Sequence, residues 1–127
     1  DLNDWQPDVW PSTPEGEERQ SKEWENLYRI LFEHPLIEAV TGWDFADGMW
    51  LNAPSGVIYK DNKVKPVYKM LHKLFKEEWW TDEEVYTDEN GMVYVEGFKG
   101  DYVLKNGEKD VSFALRTSDE EVLSVVL

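Results

Sequence analysis

Ile37-Glu38-Ala39-Val40-Thr41-Gly42-Trp43 is the stretch on which the fold turns. It is short, β-branched and mostly apolar, the pattern of a strand buried on both faces in a parallel sheet. Upstream lies a helical signal. Ser12 or Thr13 can cap it, Pro14 suits its first turn, and Glu15, Glu17 and Glu18 complement its positive end. Trp24, Leu27, Tyr28 and Leu31 then make one apolar stripe on a helix running to about Glu33. His34-Pro35 stops it, because the residue before proline disfavours helix. Downstream, a long connection covers Asp44 to Asn62, and Pro66 opens a second helix striped by Val67, Met70, Leu71, Leu74 and Phe75. Helix, buried strand, loop, helix is a piece of an α/β fold.

The period changes after Trp79-Trp80. Residues 92–95, 102–104, 111–115 and 122–127 are short β-prone runs, and Asn90-Gly91 and Asn106-Gly107 are hairpin signals. The chain therefore divides into 1–80 and an antiparallel β appendage, 81–127. Its 127 residues carry 13 Lys and Arg against 27 Asp and Glu, a formal charge of -14. That balance excludes a nucleic-acid partner and docking on an anionic membrane. The absence of cysteine removes disulfides, thiol catalysis and Cys-based zinc sites. Seven Trp are more indoles than so small a core can hide, so some rings should face solvent or a ligand. Many acids, many Trp and no Cys suit a secreted, carbohydrate-active protein, and the expected location is extracellular.

One doubly buried strand and two amphipathic helices cannot shield themselves. The strand needs neighbours on both edges and the helix stripes need a sheet. Residues 1–80 are therefore expected to end a larger α/β domain. The rival is a self-contained α+β domain in which strand 37–43 joins the β appendage.

The residues Phe32-Glu33-His34-Pro35, then Ala39 to Trp50 (AVTGWDFADGMW), then Lys65-Pro66-Val67-Tyr68 resemble the last strand–loop–helix unit of glycoside hydrolase family 10. The resemblance is strongest over 15–80. Trp43, Asp47 and Trp50 follow that family's order, although Trp50 comes one residue early and Val67 stands for the usual Ala. The resemblance implies an α/β fold, the C-terminal strand–helix units of a TIM (β/α)₈ barrel followed by a small antiparallel β module. It implies an endo-1,4-β-xylanase-like retaining hydrolase, with no cofactor. Its partners would be a xylan-type polysaccharide or oligosaccharide and the N-terminal remainder of the barrel. The two catalytic carboxylates of such an enzyme would lie upstream. Asp1 would trail the nucleophile, and no residue of this chain is expected to be catalytic. The substrate-binding set would be Trp43, Trp50 and Asp47.

Each has a plainer reading. Trp43 is either a sugar platform at a strand end or a core Trp; Trp50 lies in a loop with Gly48 and Met49, where a buried position is less natural, and the resemblance makes it a cleft wall. Asp47 and Asp44 bind hydroxyls or cap turns. Trp5 and Trp10 form outer subsites or anchor a proline-rich loop. Trp24 reads as core, and Trp79 and Trp80 as packing for the β module. His34 and His72 read as structural, since two distant His without Cys do not make a zinc site. The alternative functions are a non-catalytic carbohydrate-binding module or a protein-interaction module.

Overall fold

The structure, a computed structural model, describes residues 6, 10–107, 109–116 and 124. The chain forms two compact units, Asp1–Lys76 and Glu77–Leu127.

In the first unit, α1 spans Pro14–Glu33. Thr13 is its N-cap, and its Oγ1 accepts from the Gly16 N–H at 3.1 Å. That satisfies one of the donors a helix start leaves open. The helix ends at His34, ahead of Pro35, as the X-Pro rule requires. Helix α2 spans Pro66–Lys73 and runs on as a π-helical turn, Leu74–Glu78. The two helices pack together. Trp24 stacks on Tyr28 (centroids 5.9 Å), and Tyr28 meets the edge of Phe75 (5.5 Å).

The buried apolar residues are Ala53, Val57, Ile58, Val67 and Leu74. The loop between the helices supplies the first three. It is tied by isolated bridges, Ala46 to Ile58 in parallel and Ile58 to Val64 antiparallel. Gly56 permits its closest approach, since a Cβ there would run into the backbone of Ala46 and Asp47.

In the second unit, β1 (Gly100–Lys105) pairs antiparallel with β2 (Asp110–Leu115), in a register that sets Tyr102 opposite Phe113. Their rings stack at 5.4 Å. The Asn106-Gly107 turn closes the hairpin, with Gly107 at φ +88° and Asn106 Oδ1 accepting from the Lys109 N–H. Around Asn90-Gly91 a turn also forms, Asp88 N–H donating to the Met92 carbonyl at 2.8 Å, yet 92–95 is not a strand. The run 122–127 and Trp5 lie outside the described residues, but for Ser124.

The expected barrel does not appear. Among the described residues there are no strand–helix units, only two helices and a two-stranded antiparallel sheet. Residues 37–42 are neither helix nor strand, and every residue from 32 to 43 is exposed. A parallel strand exists only through ladder bonds to its neighbours, and among the described residues the paired strands are β1 and β2 alone, with no ladder partner for this segment. Its apolar, β-branched composition states a preference that nothing in the described structure fulfils.

Candidate functional site

Two features of the first unit place chemistry-bearing side chains. The first is the loop 44–65, built on a buried ion pair. Lys65 is 1% exposed, and its Nζ donates to Asp47 Oδ1 at 3.0 Å and to the Pro54 carbonyl at 3.1 Å. The ammonium also lies 5.7 Å from the Tyr59 ring centroid. Asp47 Oδ1 accepts the Gly56 N–H at 2.9 Å as well. Sequence reasoning passed over Lys65 as a site residue. The signal was available: a lysine immediately before Pro66 sits at a positive helix end, where a cation is disfavoured unless a carboxylate meets it. As N-cap of α2, Lys65 offers no capping bond.

A second carboxylate joins helix to loop. Glu17 Oε2 accepts from Tyr59 Oη at 2.6 Å, and Glu17 Oε1 from Ser12 Oγ at 2.5 Å. Partial burial pushes Glu17 up, but those two hydrogen bonds and the Lys65 charge outweigh it and hold the carboxyl below its ordinary value. The hydrogen bond to Glu17 correspondingly holds the Tyr59 phenol above its usual range. Beside this network opens a cavity of about 560 Å³, whose walls include Trp10, Asp47, Asn52, Tyr59, Lys60 and Lys63.

The second feature is apolar. A cleft of about 380 Å³ lies between α1, α2 and the start of the loop, walled by Trp24, Tyr28, Phe45, Tyr68, Leu71 and Phe75, with Asp44 and His72 on its lining. Gly42 lies over the Trp24 indole, where an added Cβ would stand 3.6 Å from the ring. From this cleft the exposed segment runs back to the end of α1, showing Leu36, Ile37, Val40, Trp43 and Phe45 to solvent. Single exposed apolar residues are ordinary, whereas a contiguous run marks a binding surface.

The sequence-derived residues fall as follows. Trp43 is 80% exposed and Trp50 39%. Asp47 is buried beneath the loop with its carboxylate on Lys65. Asp44, at φ +65°, accepts from Ser55 Oγ at 2.8 Å. Trp10 lines the larger cavity and Trp24 the cleft. His34 Nδ1 accepts from the Leu36 N–H at 3.3 Å, at the head of the exposed segment. Among the described residues no group of three metal-ligating side chains gathers. No helix among them is long and apolar enough to cross a membrane.

Fold and surface together define a small two-helix unit with an aromatic cleft and an exposed apolar segment, followed by a β-hairpin. No protein-family model matches the chain. It is similar to the anti-sigma-I factor RsgI6 of Acetivibrio thermocellus, with 30% identity over 93 residues. The match covers 73% of this chain and 12% of that protein's length. This finding corrects the expected membership of glycoside hydrolase family 10. It points away from a xylanase, from hydrolysis of xylan, and from xylan and a barrel remainder as partners. The motif-like runs at 32–35, 39–50 and 65–68 are therefore accounted for locally. His34-Pro35 is a helix stop, Asp47 and Lys65 are a buried ion pair, and Pro66 opens α2.

Proposed function

We propose that this chain is a protein-docking segment of a regulatory protein of the anti-sigma kind, with a sigma factor as its partner. The observation that carries the reading is the exposed run 36–45, in which Leu36 is 81%, Trp43 80% and Phe45 61% exposed. Large aromatic and aliphatic side chains held in water beside an aromatic cleft are the usual anchors of a protein interface. The likeness to an anti-sigma factor supplies the partner class.

The test is surface plasmon resonance with the immobilised full chain and a purified sigma-I factor. Binding with Kd at or below about 10 μM is expected, in the range of transient regulatory complexes. Trp43→Ala and Phe45→Ala should each weaken it by about tenfold or more, as anchor residues do. No response at about 100 μM sigma factor, equivalent to less than roughly 5.5 kcal/mol of binding, would refute the reading.

A further inference from the structure

We propose that Asn106 is a site of spontaneous covalent modification. Its side chain closes on the Gly107 nitrogen, and water reopens the ring to isoaspartate or aspartate, ahead of the chain's other Asn-Gly pair, Asn90-Gly91.

The chemistry needs water alone. The Gly107 nitrogen gives its proton to solvent and attacks Asn106 Cγ. A C–N bond forms, negative charge gathers on Oδ1, and the Cγ–Nδ2 bond breaks to release ammonia. A five-membered imide remains, and water opens it at either carbonyl. Opening at Cγ leaves aspartate. Opening at the main-chain carbon leaves isoaspartate, with the chain rerouted through Cβ and Cγ. Glycine favours the attack because it has no Cβ in the way.

Both Asn are followed by Gly, both turns are exposed, and both glycines have positive φ, +78° at Gly91 and +88° at Gly107. Access therefore does not separate the two sites; charge does. Attack places negative charge first on the glycine nitrogen and then on Oδ1. At Asn106 that oxygen already accepts the Lys109 N–H at 2.9 Å, a donor aimed where the charge develops. Lys105 and Lys109 bracket the pair, against Glu108 between them. At Asn90 the signs are reversed. Glu89 precedes it, and Asp88 Oδ1 accepts the Asn90 N–H at 2.9 Å and the Met92 N–H at 2.8 Å. The Met92 and Asn90 N–H groups hold the Asp88 carboxyl below its ordinary value, so it stays charged beside the reacting atoms. The nucleophile is also engaged. The Gly91 N–H donates to the Asp88 carbonyl at 3.1 Å, and a proton so held is given up less readily.

Isoaspartate lengthens the main chain where the Asn106 N–H meets the Lys109 carbonyl at 3.3 Å and the Lys109 N–H returns to Asn106. The two bonds cannot both close, and the adjoining Lys105–Asp110 pair loosens with them. Modification thus frays the hairpin from its turn toward the stacked Tyr102 and Phe113.

The test is to age the full chain in mildly alkaline buffer and weigh chymotryptic peptides spanning 87–94 and 105–113. Asn106 should convert about fivefold or more faster than Asn90, the scale set by a few exposed charges and one hydrogen bond. Lys105→Gln/Lys109→Gln keeps the Lys109 N–H and should remove about half of that lead or more; an unchanged lead overturns the electrostatic cause. In the aged wild type, amides across Tyr102 and Phe113 should exchange faster in the isoaspartate fraction. Asn106→Gln, whose longer side chain closes a ring far more slowly, should keep its protection. Equal rates at the two sites, or a faster Asn90, overturn the assignment. So does an Asn106 that stays intact while a free peptide of residues 105–109 converts, because the hairpin then shields the side chain.

Discussion

Asp47→Ala should be the most damaging single change in the first unit. Its side chain is 7% and that of Lys65 1% exposed, so truncation strands an ammonium without its carboxylate. Lys65 would keep the Pro54 carbonyl and the Tyr59 ring, but neither carries a countercharge. Breaking a buried pair on one side costs about 3–5 kcal/mol. The same change leaves the Gly56 N–H without its acceptor, a loss that falls within the upper part of that range. A unit of this size has about 4–11 kcal/mol to lose, so the variant forfeits a large fraction of its stability. With a urea slope of about 1–2 kcal/mol/M, the midpoint falls by roughly 2 M or more. Urea titration followed on the amide signals of Val57 and Val67 reports this unit alone. The double variant Asp47→Leu/Lys65→Met removes both charges, and should recover at least half of the loss, as apolar replacements of buried pairs do. A midpoint within about 0.3 M of wild type for Asp47→Ala, less than roughly 0.6 kcal/mol, would refute the assigned role of the pair.

Three further outcomes are expected. Gly56→Ala places a methyl group against the Ala46–Asp47 backbone and should cost about 2–3 kcal/mol in the same titration. Glu17 is depressed in the folded state, so its contribution is present above its unfolded pKa and disappears as pH falls through the lower folded value. Tyr59 is raised, so its contribution holds below the unfolded phenol value and disappears as pH rises through the folded one; thermal melts of Tyr59→Phe should show weaker pH dependence at both extremes. Gly107→Val forces a β-branched residue to φ +88° and should destabilise the hairpin by about 1–2 kcal/mol, seen as faster amide exchange across Tyr102 and Phe113.

Local signals in the sequence were enough to place α1, α2 and the second hairpin turn. Thr13, Pro14, His34-Pro35, Pro66 and Asn106-Gly107 act within a turn of their own position, and capping, fixed proline φ and tolerance of positive φ need no distant partner. Such signals do not say which side chains meet. Lys65 and Asp47 are 18 positions apart, and only loop closure over Val57 and Val67 brings them together and buries them. Composition gave residues 37–43 a strand's preference, but a strand is a relation between two backbones, and the described structure leaves that relation open. The chain's own residues therefore determined where its helices start and stop. The tertiary structure decided what is inside and what faces water, because burial and pairing depend on segments that local sequence does not bring into contact.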